Sequence, residues 1–79
     1  MDAKALGARL AAARHAAGLS QQQAAKRLFM AQPSISRIET GDRDVTAIDA
    51  ARMAALYGVS LASLFDGQLE TARLSSAST

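Results

Sequence analysis

Two neighbouring stretches decide the fold, LSQQQAAKRL at residues 19–28 and QPSISRIETG at residues 32–41. In the first, Ser20 precedes Gln23 by three residues, the spacing of a capping box in which a hydroxyl and an amide satisfy free backbone N–H groups. A helix is therefore predicted to begin here and to end near Leu28. Its alanines and its two cations fall on opposite sides of a helical wheel, so we predict a short amphipathic helix.

The second stretch predicts another short helix, at about residues 32–40. Pro33 suits the first turn of a helix, because its missing N–H costs nothing there, and Gly41 marks a stop. With Ile35 and Ile38 buried, the opposite face of this helix is polar and free of acidic residues. Only residues 29–31 separate it from the preceding helix, so the two helices are joined by a tight turn.

The rest of the chain predicts three further helices and no strand. Asp2 can cap a first helix at residues 3–17, which Gly18 stops, and Ser60 opens a short last helix at residues 61–65. Thr46 and Asp49 form a second start resembling a capping box, and the apolar segment up to residue 57 is predicted to be the buried centre. We therefore predict an all-α fold of five helices.

Composition excludes most enzymes and metal sites. The 79-residue chain has no cysteine and one histidine, so we expect no thiolate nucleophile, metal site or cofactor, and no enzyme. A core of this size cannot enclose a large pocket. No apolar run approaches the roughly 18 residues of a membrane span, so we expect a cytoplasmic protein without a membrane partner.

The net charge of +2 conceals an asymmetry along the chain. Residues 3–38 contain six basic residues and no acidic one, whereas most acidic residues follow position 38. A basic half indicates an anionic partner, and nucleic acid before membrane. The alternative is chance, because six charges spread over this length are not dense.

Two short helices joined by a three-residue turn match a helix-turn-helix motif, which lays its second helix in the DNA major groove. Together with YGVSLASLF at residues 57–65, the two stretches resemble the phage repressor and Cro type of helix-turn-helix protein, the XRE family. The resemblance extends over about residues 6–65. It implies a lambda-repressor-like domain at residues 1–67 and a C-terminal extension at residues 68–79 that contributes to dimerisation and then frays.

Three residues depart from the family pattern. Phe29 stands where glycine is common, which indicates either an unusual backbone for that residue or a different turn. Ala24 replaces a common leucine, and Phe29 or Met30 is expected to fill that volume. Ala31 replaces a serine or threonine cap, which weakens the start of the second motif helix by about 1 kcal/mol unless Pro33 compensates.

The resemblance implies specific DNA contacts, and the helical wheel supports several of them. The base-contacting residues would be Gln32, Pro33, Ser36 and Arg37. Arg37 can pair with guanine O6 and N7, Gln32 with adenine N6 and N7, and Pro33 can meet a thymine methyl. The phosphate-contacting residues would be Gln21, Gln22, Ser34, Thr40 and Arg43. The alternative is that these are ordinary solvated side chains.

The family pattern also suggests a structural ion pair between Arg14 and Glu39, tying the first helix to the third. It further implies a two-fold dimer, and the apolar end of the chain offers a surface for it. The predicted interface residues are Tyr57, Leu61, Leu64, Phe65 and Leu69. The alternative is that residues such as Tyr57 and Phe65 close the core of the monomer.

These observations favour a sequence-specific DNA-binding transcriptional regulator, a dimeric repressor that binds a palindromic operator in double-stranded DNA through its third helix. A second interpretation is an antitoxin or adaptor that binds a protein partner through its apolar C-terminal face, with DNA binding secondary. A restriction-modification controller is a further variant of the regulator class.

Overall fold

The computed structural model describes residues 2–65 as a bundle of five α-helices, and no strand occurs in that range. The helices are α1 (Ala3–Ala16), α2 (Gln21–Leu28), α3 (Gln32–Thr40), α4 (Ala47–Tyr57) and α5 (Leu61–Leu64). This confirms the predicted all-α class. None of the helices in residues 2–65 has the length and apolar character needed to cross a membrane.

The capping hydrogen bonds explain why the helix starts predicted from the sequence agree with those in the structure. Asp2 accepts a hydrogen bond from the Ala5 N–H at 2.7 Å. The capping box of α2 is complete, because the Ser20 hydroxyl accepts from the Gln23 N–H at 3.0 Å and the Gln23 carboxamide accepts from the Ser20 N–H at 2.8 Å. Both contacts lie within four residues of chain, so they depend on local sequence.

Some details of the helices differ from the prediction. Thr46 accepts from the Asp49 N–H at 3.1 Å, but the Asp49 carboxylate contacts Arg52 at 3.4 Å and does not complete a capping box. Helix α4 is not buried on every side, since Ile48 is 74 % exposed. It packs one face on the bundle, so only Met53 and the buried residues near it belong to the core.

The centre of the molecule lies between α1, α3 and α4. The largest fully buried side chains come from these three helices: Leu10, Ile35, Ile38 and Met53. Helix α1 also approaches α3 backbone to backbone, because a Cβ added to Gly7 would lie 2.1 Å from the Ile38 carbonyl oxygen. Only glycine permits this approach, so Gly7 fixes how closely the first helix packs on the third.

A buried ion pair joins the same two helices. Arg14 donates from Nε to Oε2 of Glu39 at 2.6 Å and from Nη2 to Oε1 at 3.0 Å, and each side chain is only 6 % exposed. The structure thus brings together the two residues that the sequence analysis paired. Arg14 also donates to the Leu19 carbonyl at 2.7 Å. Its hydrogen bond with Glu39 raises its pKa although burial acts in the opposite direction, so the guanidinium stays charged.

The turn between α2 and α3 uses a left-handed residue that is not glycine. Phe29 has φ 56° and ψ 41°, and its ring is 92 % exposed. Of the two residues expected to fill the space beside Ala24, Phe29 is therefore excluded, while Met30 packs against the core. Arg52 reaches across from α4 to donate to the Leu28 carbonyl, which satisfies a free acceptor at the end of α2.

Tyr57 is buried in the core, and its hydroxyl has no hydrogen-bond partner among the described residues. Burial, with a smaller effect of the Glu39 carboxylate and an opposing one of Arg14, raises the pKa of Tyr57 to about 12. The folded protein therefore resists ionisation of this group, because a phenolate in this position would lack water.

Replacing Arg14 by alanine should destabilise the protein by about 3–5 kcal/mol, because the Glu39 carboxylate would be left buried without its partner. Arg9→Ala is the matched control. Arg9 is an exposed arginine of the same helix whose one side-chain hydrogen bond within residues 2–65 is a long one, 3.4 Å, to the Ser63 carbonyl. Its loss should cost no more than about 0.5 kcal/mol. Thermal unfolding followed by circular dichroism compares the two variants, and equal melting shifts would contradict the structural role of the pair.

Raising the pH from 10 to 12 should weaken the wild type more than Tyr57→Phe. In that window the unfolded tyrosine ionises while the folded one, with its pKa near 12, keeps its proton, so stability present below pH 10 is lost. The difference between the two unfolding curves isolates Tyr57 from other groups. The chain has one tyrosine and no tryptophan, so tyrosinate absorbance follows this group directly. A midpoint near 10 in protein that is still helical would contradict the prediction.

Phe29→Gly should stabilise the protein by about 1 kcal/mol. Relief of the left-handed conformation is worth about 1–2 kcal/mol, and the extra freedom of glycine in the unfolded chain offsets part of it. Phe29→Ala is the control, because it removes the exposed ring and keeps the backbone strain. Urea unfolding should rank glycine above both alanine and the wild type. If the glycine variant is no more stable than the alanine variant, backbone strain is not the cause.

Candidate nucleic-acid interface

The outward face of α3 is polar and carries no carboxylate. Because an α-helix turns about 100° per residue, five side chains share an arc of about 140° that lies opposite Ile35 and Ile38. They are Gln32, Pro33, Ser36, Arg37 and Thr40. Glu39, the one acid of this helix, lies just outside the arc beside Gln32, and its carboxylate is held in the buried ion pair with Arg14. All four predicted base-contacting residues therefore lie on one face.

Two glutamines connect this face to the start of α2. Gln32 donates from Nε2 to Oε1 of Gln21 at 2.8 Å, and Gln21 donates from Nε2 to Oε1 of Glu39 at 3.0 Å. Gln32 was predicted as a base contact and Gln21 as a phosphate contact, but the hydrogen bond between their side chains was not predicted. The contact depends on how α2 packs against α3, and no spacing within the sequence reveals it.

The N-terminus of α2 offers free donors beside this pair. The Gln23 N–H is satisfied by Ser20, whereas the N–H groups of Gln21 and Gln22 have no partner among residues 2–65. Free N–H groups at a helix N-terminus attract anions such as phosphate. The Gln22 side chain is exposed, so it is accessible to a ligand.

The other three predicted phosphate contacts have different surroundings. Ser34 is half-buried and lies beside the polar arc of α3, not within it. The Thr40 hydroxyl is within hydrogen-bond distance of the Arg37 carbonyl and of the Asp42 carboxylate, at 3.2 and 3.1 Å, so its proton is already used within the chain. Arg43 is exposed between Asp42 and Asp44, which reduce its local positive field.

The free positive charge of the basic half is smaller than its composition suggests. Arg14 is neutralised by Glu39, and Arg52 of the later half contacts Asp49. Within the part of the chain that the structure describes, these are the only ion pairs, so Lys26, Arg27 and Arg37 carry no carboxylate partner there. All three are exposed, on α2 and α3.

The residues predicted for a dimer interface do not form one exposed face. Tyr57 and Leu64 are buried within the single chain, so they offer no surface to a second copy. For Tyr57 this agrees with the alternative prediction that it closes the core of the monomer. Phe65 is half-buried and packs against the core, and Leu61 is 40 % exposed. Leu69 and the predicted extension at residues 68–79 lie outside the described residues.

Comparison with known proteins agrees with this geometry. No curated protein matches the chain at a significant level. The sequence model described as a helix-turn-helix domain matches residues 5–64, which include all five helices apart from the first two residues of α1. This match spans most of the chain, and α2 and α3 both lie within it. The chain therefore belongs to the helix-turn-helix domain family and is a DNA-binding protein of that type.

Proposed function

We propose that this protein is a sequence-specific transcriptional regulator of the phage repressor and Cro type, a dimeric repressor that binds a palindromic operator. Helix α3 lies in the major groove and reads bases, while the N-terminus of α2 contacts the phosphate backbone. Two half-sites about one DNA turn apart, ~34 Å, accommodate the two copies.

The observation that carries the proposal is the face of α3. It combines Arg37, which has no carboxylate partner within residues 2–65, with amide and hydroxyl groups. The face carries no acid because Glu39 is held in its ion pair with Arg14. Buried Ile35 and Ile38 fix this helix to the bundle. A rigid helix with a neutral-to-basic polar face suits the hydrogen-bonding edges of base pairs.

The proposed contacts divide into two groups. Arg37 reads a guanine, Gln32 an adenine, and Pro33 a thymine methyl, with Ser36 beside them. The phosphate contacts proposed are Gln21, Gln22, Ser34, Thr40 and Arg43. Of these, Gln21 and Gln22 have the strongest support, because their free N–H groups stand at a helix N-terminus.

A second candidate function is an antitoxin or adaptor that binds a protein partner, with DNA binding secondary. The exposed apolar side chains of Ile48 and Leu61 favour it. The burial of Tyr57 and Leu64 reduces the apolar face on which this alternative first rested. A restriction-modification controller shares the DNA chemistry of the main proposal and differs in the genes it controls.

Selection from random duplex DNA at two salt concentrations tests the proposal. We expect two copies of one short sequence in inverted orientation, with an affinity that falls steeply with salt because each phosphate contact releases counterions. Recovery of a single unrepeated site would overturn the dimer. Recovery of no preferred sequence would overturn sequence-specific regulation and favour the adaptor.

Arg37→Ala should abolish discrimination at one base pair of each half-site, a loss of about 1–3 kcal/mol in discrimination, while the melting temperature stays unchanged. The side chain is exposed and has no carboxylate partner among the described residues, so its loss leaves the fold intact. The check is binding to the selected duplex and to duplexes substituted at each position.

Arg27→Ala is the matched control, since Arg27 is an exposed cation on the outer face of α2. It should weaken binding to all duplexes equally or not at all. Unchanged discrimination at every position in Arg37→Ala would remove Arg37 from the base-reading set.

A further inference from the structure

A continuous chain of hydrogen bonds links the buried ion pair to the base-reading face. Arg14 donates to both oxygens of Glu39, Gln21 donates to Oε1 of Glu39, and Gln32 donates to Oε1 of Gln21. The four side chains come from α1, α2 and α3, and none of them is fully exposed. The chain ends on a residue proposed to contact a base.

The direction of every bond in this chain is set by the charge at its buried end. The carboxylate of Glu39, in its ion pair with Arg14, accepts hydrogen bonds and cannot donate one. Gln21 must therefore turn its NH2 group toward Glu39, which leaves its oxygen facing α3. Gln32 must then donate to that oxygen, so its amide too has one permitted orientation.

This orientation decides which hydrogen-bonding groups Gln32 has left for a base. Its Oε1 and one N–H remain free, an acceptor and a donor side by side. Adenine presents a donor at N6 and an acceptor at N7, which matches this pair, whereas guanine presents acceptors at both O6 and N7. If the Gln32 amide were reversed, its oxygen would face Gln21 and its two N–H groups would face the base. Two donors match the two acceptors of guanine.

We infer that Glu39 is a positioning residue for base specificity: acting through Gln21, it holds the Gln32 amide in the orientation that selects adenine over guanine. The inference rests on the proposed reading of DNA by α3. The carboxylate would then have a second role besides joining α1 to α3. Because its side chain is buried, Glu39 would act on specificity only through Gln21.

The test measures the ratio of two dissociation constants for each variant. The first duplex is the site selected by the wild type, and the second carries G·C in place of A·T at the position where Gln32→Ala loses discrimination. The wild type should prefer adenine by about tenfold, and Gln32→Ala should show no preference. A ratio is insensitive to changes that weaken binding to all DNA equally.

Glu39→Gln should lower this ratio to less than about threefold, because an amide can donate as well as accept and no longer fixes Gln21. Gln21→Met, which keeps the length of the side chain and removes its hydrogen bonds, should do the same. The double variant should lose no more than either single variant. Additive losses would show that Glu39 does not act through Gln21, and would overturn the inference.

Leu64→Ala separates specificity from stability. It opens a cavity in the core away from the glutamines, so it should lower the melting temperature and leave the adenine preference at its wild-type value. If Glu39→Gln does not fold, Gln21→Met decides the question, because Gln21 is half-buried and outside the ion pair itself. A wild-type ratio in folded Glu39→Gln or in Gln21→Met overturns the inference. A wild type without sequence preference overturns the proposed function instead.

Discussion

The contact between Arg14 and Glu39 is the constraint on which the arrangement of α1, α2 and α3 depends. It lies where Gly7 lets the backbones of α1 and α3 approach, and both charges are removed from water. The net contribution of a buried ion pair to stability is small, since desolvation offsets attraction. Its importance is that any packing of α3 that separates the two groups leaves a buried charge unmatched, so the pair selects one position for α3.

The helices were predictable from sequence because their signals are local. The Ser20 capping box, the Asp2 cap and the stop at Gly41 each involve residues only a few positions apart, and the observed ends of α1 and α5 differ from those predicted by one residue. The polar face of α3 was predictable for the same reason, since the period of α3 and the burial of its isoleucines define the opposite side.

What sequence did not reveal depends on packing between helices. The contact between Gln21 and Gln32 and the donation from Arg52 to the end of α2 join residues 11 and 24 positions apart. The left-handed conformation of Phe29 was one of two alternatives that the sequence left open, and the exposure of its side chain was not predicted. Tyr57 was predicted at a dimer interface, with burial in the core as the alternative, because α4 is apolar on several sides. Only the packing of the bundle shows that Tyr57 is on the covered side.

A double-mutant cycle measures directly whether Arg14 and Glu39 stabilise the fold only as a pair. The free energies of unfolding in urea are compared for the wild type, Arg14→Met, Glu39→Leu and the double variant, in which apolar groups of similar length replace both charges. We expect the double variant to lose about 1–3 kcal/mol less stability than the sum of the two single losses, because no buried charge remains unpaired in it. If the two single losses add up to the loss in the double variant within about 0.5 kcal/mol, the two side chains are not coupled and this role of the pair is contradicted.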